Sequence, residues 1–480
     1  MKARVWVCTL ALLCGPASLL AQSEKRPGAV KPNILFIAVD DLNHWVGHLG
    51  RNRQVKTPNI DRLAARGVTF ANAYCAAPIC NPSRAALLSG MRPSTTGVYD
   101  NNVDWRPHVA PERTLITHFR RNGYYTAGAG KIYHGGFDRQ EEWDDYGRER
   151  RGPCKLLNPT DGVAAIKFSP VDCGDDGISD YSIASYGIEQ LERKHDKPFL
   201  LTIGFHKPHM PWNVPKKYFD LYPLDKIELP PYRDDDLADV PPAGVKMARS
   251  PGSTSPDRPS DHESMVQSGR WKEAVQAYLA TISYLDTQLG RVLDALDRSA
   301  YRENTVVLLF GDHGWSLGEK HHWRKFALWE EATRAPFIWV VPGVTQPGGV
   351  CQRTVDFMSI YPTLCSLAGI SVPKHVEGEN IRSLLVNSSA PWEKPAITTF
   401  GQNNHAVRTE RWRYIRYHDG GEELYDHGQD PYEWTNLAPR TAEFSPVLKE
   451  LARWLPTVNK PPVRRAGAAG RDGDELDPDP

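Results

Sequence analysis

Unbroken apolar runs of six or seven residues recur along the first three-quarters of the chain, each stopped by charge. Asn33 to Val39 (NILFIAV) runs straight into Asp40-Asp41, and Lys197 to Phe205 into His206-Lys207-Pro208-His209. Thr305 to Phe310 runs into Gly311-Asp312-His313. A run without alternation has both faces covered, as a strand inside a parallel sheet does. Gly123 to Ala129 and Pro336 to Val341 read as two further strands. Between these runs the period lengthens. From Arg270 to Arg298, Ala277, Leu279, Ile282, Leu285, Leu289, Val292, Leu293 and Leu296 recur at helical spacing. Tyr181 to Lys194 reads as a helix, and so does Thr57 to Gly67, with Thr57 as its cap, Pro58 in its first turn and Gly67 at its end. Strands alternating with helices predict an α/β fold, a doubly wound and mostly parallel sheet.

The pattern changes beyond about Val386. Ala396 to Phe400, His405 to Thr409 and Trp412 to Tyr417 read as short antiparallel strands, with a helix near Pro446 to Leu455. The expected organisation is a main domain over 32–385, a smaller C-terminal α+β domain over 386–460, and a disordered tail over 461–480. Asp138 to Asp180 reads as an irregular insertion near the entrance of a site. Asp225 to Ser268, rich in Pro, Asp and Ser, reads as a long surface connection in which Asp234-Asp235-Asp236 form a solvated turn.

The N-terminus alters the picture of where the chain works. A basic start (Met1 to Arg4), an apolar stretch (Val5 to Leu20) and Leu19-Leu20-Ala21 read as a signal peptide over 1–21, followed by a linker over 22–31. No later stretch is long and apolar enough to span a bilayer. The chain is therefore expected to be exported, to a periplasm or the cell exterior. An oxidising compartment permits disulfides. Cys154 and Cys173 flank a Gly/Pro/Asp-rich excursion and rank as the first candidate pair among several. Lys+Arg and Asp+Glu both number 58, so no global field favours nucleic acid or a membrane surface, and an anionic substrate must be held by local cations.

Chemistry gathers at the strand ends. Asp40, Asp41, Asp312 and His313 offer three carboxylates and an imidazole, and ligands in open α/β sheets sit beyond the carboxyl ends of strands. Hard oxygen donors suit Ca²⁺ or Mg²⁺. Cys80-Asn81-Pro82-Ser83-Arg84, followed by a Leu/Ala-rich run and Gly90, reads as a loop feeding a helix, with Cys80 at its mouth. Arg84, one turn on, shares a face with Cys80. Gly130-Lys131-Ile132-Tyr133-His134-Gly135 sets a cation and an imidazole among glycines.

Cys80-x-Pro82-x-Arg84, with its Leu-x-x-Gly extension, resembles the signature of the formylglycine-dependent sulfatases. Lys131-x-x-His134, His206-Lys207-Pro208-His209, Ser283 to Gln288 and Asp312-His313-Gly314-Trp315-x-Leu317-Gly318-Glu319 resemble the iduronate-2-sulfatase branch of that family. The likeness covers roughly Lys31 to Leu385 well and the C-terminal part loosely. It implies an alkaline-phosphatase-like fold and a Cys80 converted by a separate generating enzyme to formylglycine (3-oxoalanine), whose hydrate is the nucleophile. It also implies one Ca²⁺ held by Asp40, Asp41, Asp312, His313 and the modified Cys80. Arg84, Lys131 and Lys325 would offset anionic charge, His134 would assist a deprotonation, and His206, with Lys325, would protonate the leaving oxygen. The implied substrate is a sulfated oligosaccharide or polysaccharide bearing the 2-O-sulfate of a uronic acid. Two other readings stand beside it: a phosphonate or phosphate ester hydrolase on the same scaffold, and an inactive binder of sulfated glycans. His405 and Arg408 are candidates to reach a sugar carboxylate or, equally, plain strand-edge residues.

Overall fold

The computed structural model describes residues 31–158, 160, 162–249 and 258–463. The expected signal peptide, nearly all of the linker and the tail from residue 464 lie outside the described residues.

Eight strands form the central sheet: β1 (Asn33–Val39), β2 (Val68–Tyr74), β3 (Tyr125–Gly130), β4 (Asp145–Gly147), β5 (Phe199–Phe205), β6 (Thr305–Gly311), β7 (Phe337–Val340) and β8 (Gly349–Asp356). Their order is β8-β2-β7-β6-β1-β5-β3-β4. All neighbours pair in parallel except β7, which runs antiparallel to β2 and β6. Three of these strands escape the hydrophobic pattern: β4, within the stretch read as an irregular insertion, β2 and β8. β8 is the edge strand and β2 its neighbour, and part-buried residues break the apolar run in both.

Because successive side chains alternate across a strand, β1 feeds two cores. Leu35, Ile37 and Val39 pack with α1 (Pro58–Ala64), α4 (Ser179–Glu192) and α5 (Trp271–Arg298). Ile34, Phe36 and Ala38 pack with α2 (Cys80–Ser89), α3 (Leu115–Arg121) and α6 (Ile360–Ala368). This is the doubly wound arrangement that the alternating pattern predicts. All eight residues of the predicted stripe on α5 are buried. Thr57 precedes α1 but makes no side-chain cap; its hydroxyl accepts from the Gly47 N–H at 2.8 Å instead.

A four-stranded antiparallel sheet follows, β9 (Ala396–Thr399), β10 (His405–Arg408), β11 (Trp412–Arg416) and β12 (Glu422–Asp426), and α7 (Thr441–Ala452) packs on it. The fourth strand is an addition to the sequence reading. The described residues from Pro32 on, this sheet included, form a single compact unit. Lys460 and Val463 donate backbone hydrogen bonds to Ser94 and Gly97, so the chain is pinned at least as far as Val463. The Asp225 to Ser268 stretch also holds more structure than its composition suggests. It carries helices Pro242–Arg249 and Asp261–Ser268, and Ser260 and Glu263 close a capping box on the second. Asp236 is not solvated but buried, paired with Lys320 Nζ at 2.8 Å.

Cys154 and Cys173 form the disulfide, 19 residues apart. Cys75, Cys80, Cys351 and Cys365 are unpaired and buried. Closing a loop of this length removes about 3 kcal/mol of denatured-state entropy in the chain-entropy model. The double variant Cys154→Ser/Cys173→Ser is therefore expected to unfold at lower urea by about that free energy. An unchanged midpoint would show that the excursion is held by its other contacts.

Candidate active site

β1 sits between β5 and β6, and this pairing assembles the site. Asp40 N donates to Phe205 O at 3.1 Å and Asp312 N to Val39 O at 3.0 Å, so the three strands stop at one level. The chain turns sharply there. Asp41 adopts φ 57°, a left-handed conformation that Asp tolerates better than most residues. Tyr278 from α5 holds the turn, donating to Asp41 O at 2.7 Å and accepting from Asn43 N at 3.0 Å.

All ten residues of α2 are buried, and Gly90 ends it at φ 72°. Ser83 Oγ donates to Asp312 O at 2.6 Å, tying the helix mouth to the end of β6. Cys80 Sγ lies 3.3 Å from His313 Nε2 and 3.2 Å from Lys325 Nζ. Arg84 reaches Asp312 Oδ2 at 2.8 Å and Asp40 Oδ1 at 3.1 Å, and also donates to the Lys131 and Ile132 carbonyls. Lys131 Nζ donates to Asp40 Oδ2 at 2.6 Å, and Lys325 Nζ to Asp41 Oδ1 at 3.2 Å.

Three acids and three cations thus interlock, all of them buried. Burial by itself would raise Asp40, yet Lys131, His209, Arg84 and Lys325 outweigh it and hold the carboxyl well below the usual range. Asp41 shows the reverse balance: burial pushes it up to about 6, against the pull of Lys325 and His209. Burial disfavours charge on His313, but Asp312, Cys80 and Asp41 push its imidazole up to about 9.

The donor set fits a hard divalent cation. Ligand atoms of Asp40, Cys80, Asp312 and His313 all lie within 4.8 Å of one another, as do those of Asp40, Asp41, Cys80 and His209. Asp41 Oδ2 is buried with no hydrogen-bond partner. His313 Nδ1 donates to Gly314 O at 2.9 Å, so in the neutral ring Nε2 carries the lone pair, on the side of Cys80 and Asp41. A second cluster, Glu330, His427 and Glu433, also has metal-like spacing. It is already neutralised by Arg413 and Arg408 and is structural.

Lys325 is delivered by an irregular segment. Ser316–Leu317 pairs with Trp323–Arg324, and between and after them Lys320, His321, Arg324 and Phe326 all have positive φ, at 54°, 50°, 74° and 79°. Each costs of order 1 kcal/mol and persists only where its surroundings over-determine it. Trp271 Nε1 donates to Leu317 O at 2.7 Å, and Lys320 pairs with Asp236 and Arg324 with Asp261. The buried His322 ring lies 3.0 Å from Ala248 O and 2.6 Å from Lys325 O. Gly318 has φ 123°, and a Cβ there would lie 2.0 Å from the Trp271 ring. These holding residues have no sequence signal beyond the motif they follow, since partners such as Trp271 and Leu317 or Lys320 and Asp236 lie 46 and 84 positions apart.

A cleft of about 660 Å³ opens above this floor, lined by Lys131, His134, Glu149, Arg151, His206 and His209 among others. Of the predicted residues, Cys80, Arg84, Lys131, Lys325 and the four metal candidates converge on the floor, and His134 lines the cleft. His206 stands further out, its Nε2 3.0 Å from both oxygens of Glu149. His209, three residues on and unassigned by the sequence reading, is the histidine beside the acids. Its Nε2 lies 3.8 Å from Asp41 Oδ2 and 4.0 Å from Asp40 Oδ2. Lys207 faces away, donating to the His209 and Pro211 carbonyls. His405 and Arg408 are buried in the C-terminal sheet, Arg408 against Glu330, and take no part in the cleft.

The comparisons agree with this site. Residues 32–370 match the sulfatase family model, and residues 318–460 match the model described as "N-sulphoglucosamine sulphohydrolase, C-terminal". A "Sulfatase" of Formosa agariphila is 40% identical, covering 93% of this chain and 92% of its own. "Iduronate 2-sulfatase" of Homo sapiens is 34% identical, over 80% of this chain and 84% of its own. Among solved structures, one titled "a 2-O GAG sulfatase" superimposes with a TM-score of 0.70 at 24% identity, covering 88% of this chain and 91% of its own. With the family model spanning more than half of the chain, and Cys80, Arg84 and the acids meeting at one point, the chain belongs to the sulfatase family and is a sulfuric ester hydrolase.

Proposed function

We propose that this sulfatase hydrolyses a sulfate ester of a sulfated sugar, the 2-O-sulfate of a uronic acid. One observation carries the chemistry: Cys80 Sγ is held between Lys325 Nζ and His313 Nε2, among acids whose partners Lys131 and His209 line a cleft wide enough for a sugar. The identity to iduronate 2-sulfatase, together with that branch's motifs at Lys131-x-x-His134 and Asp312-His313, supports the sugar and the position.

The residues present fit one Ca²⁺, held by Asp40, Asp41, Asp312, His313 and the side chain at Cys80; when bound, it supplies Lewis-acid polarisation of the sulfate. Conversion of Cys80 to formylglycine supplies a hydrated aldehyde as nucleophile, and the Cys80 sulfur stands where an oxygen of that hydrate would lie. Cys80 is fully buried, so a generating enzyme must act before folding is complete. Lys131 and His134 line the inner cleft and bind sulfate oxygens, and Arg84 fixes Asp40 and Asp312 in place. Lys325, within hydrogen-bonding distance of the nucleophile's position, stabilises negative charge there. His134 accepts a proton from the nucleophile side. His209, held beside the acids, replaces His206 as the group that protonates the leaving sugar oxygen, with Lys325 sharing the role. His206, braced by Glu149, contacts the sugar. Export to a periplasm or the exterior rests on the Met1 to Ala21 stretch and suits the Cys154–Cys173 disulfide.

The test is a panel of defined sulfated disaccharides, an aryl sulfate, a phosphodiester and a phosphonate, with products read by mass spectrometry. Sulfate release from a 2-O-sulfated uronate, faster than from sulfates at other positions, is expected. Faster turnover of the phosphonate would replace this reading with the phosphonate hydrolase one. A Cys80 peptide that retains its thiol, with no turnover at all, would leave a glycan binder.

A further inference from the structure

A 2-O-sulfated uronate carries two anions, and the floor of the site accounts for only one of them. The cleft continues outward from Lys131 and His134 to a wall supplied by the 138–180 excursion and the end of β5. Glu149, Arg151, Gly152, Cys154 and Leu156 line that wall. Its construction is specific. Asp180, itself buried, accepts from His206 N at 2.8 Å and from Lys207 N at 2.9 Å, which fixes the end of β5. Glu149 then meets the His206 ring at 3.0 Å through both oxygens. The Lys207 ammonium donates to two carbonyls, those of His209 and Pro211. Arg151, two residues after Glu149, is exposed. Its charge reaches both Glu149, whose carboxyl His206 lowers against burial, and Lys207, whose ammonium burial lowers, and adds to the lowering of each. The Cys154–Cys173 disulfide anchors the wall three residues beyond it.

We propose that Arg151, with the Glu149-braced His206 beside it, forms a second anion subsite that reads the carboxylate of the sulfated sugar. A planar guanidinium matches a carboxylate through two parallel hydrogen bonds. The subsite makes the enzyme selective for sulfated uronates over neutral sulfated sugars. It lies on the outer wall, so it acts on binding rather than on the reacting sulfur. This inference rests on the uronate reading above.

The experiment compares a 2-O-sulfated uronate disaccharide with the same disaccharide after its carboxyl has been reduced to hydroxymethyl. Wild type is expected to favour the acid. Arg151→Ala is expected to raise KM for the acid by about 10- to 100-fold, the worth of one charge-assisted pair, with kcat little changed. Turnover of the reduced sugar and of an aryl sulfate should stay at the wild-type level, and Arg151→Lys should restore part of the preference. Equal losses on both sugars would make Arg151 a structural residue, and no loss on either would remove it from recognition; both results overturn the subsite. If wild type cleaves the aryl sulfate but neither sugar, the uronate reading itself fails and the subsite falls with it.

Discussion

Cys80→Ala is expected to lose turnover of an aryl sulfate by at least about four orders of magnitude, as loss of a nucleophile does elsewhere. Every neighbour of Cys80 is arranged around that one side chain. Lys325 and His313 flank it, Arg84 anchors the acids below it, and α2 places it at a buried helix mouth. No nearby hydroxyl or thiol can take over: Ser83 is committed to Asp312 O, and Cys75 is buried, with its thiol pushed well above its ordinary range by burial and then by Asp312. The fold should survive, because removing one sulfur from a packed site costs only about 1–2 kcal/mol. Steady-state hydrolysis and a urea titration on the same preparation separate the two effects. Activity above a hundredth of wild type in a folded variant would mean that Cys80 is not the reacting residue.

The second large effect is one of stability. Arg413 is fully buried and meets Glu433 and Glu330 together, with Leu328 O at 2.9 Å. Glu330 also takes Tyr74 Oη at 2.9 Å from β2, and Arg334 and Arg408 at 3.3 Å each. The network joins the central sheet to β10 and β11. Arg413→Met keeps the volume but strips both carboxylates of a principal partner. Breaking one side of a buried ion network costs about 3–5 kcal/mol, so the urea midpoint should fall by that free energy. A shift under about 1 kcal/mol would show that the remaining partners suffice.

The pH dependence gives an independent check. Burial would raise Glu433, but Arg413 and His427 outweigh it and hold the carboxyl at about 2, against an ordinary 4.5. A depressed carboxyl contributes stability that is complete above its unfolded value and is lost as pH falls through its folded one. Wild type should therefore lose this contribution between about pH 4.5 and 2, and Arg413→Met, with Glu433 less depressed, should lose less of its stability in that window.

The sequence and the structure part company at identifiable places. Unbroken apolar runs at β1, β5 and β6 announce central strands because both faces of such strands are covered. β8, an edge strand, and β2 beside it do not, because part-buried residues interrupt both and their composition is mixed. The Asp225 to Ser268 connection reads as loop from its Pro, Asp and Ser content, yet Ser260 and Glu263 cap a helix there. Of His206 and His209, equal in the motif, only the folded turn sets one against Asp40 and Asp41 and the other against Glu149.

By itself, the sequence determined the α/β architecture, the family and nearly every group on the floor of the site. Periodicity reports burial directly, and short motifs fix residue types that lie close along the chain. Only the tertiary structure decided which groups meet. Lys325 reaches Cys80 through a strained segment held by Trp271, Asp236 and Asp261, and Arg151 reaches the cleft on a disulfide-anchored wall. Contacts between residues tens to hundreds of positions apart depend on how the layers pack, and no local pattern of residues encodes that.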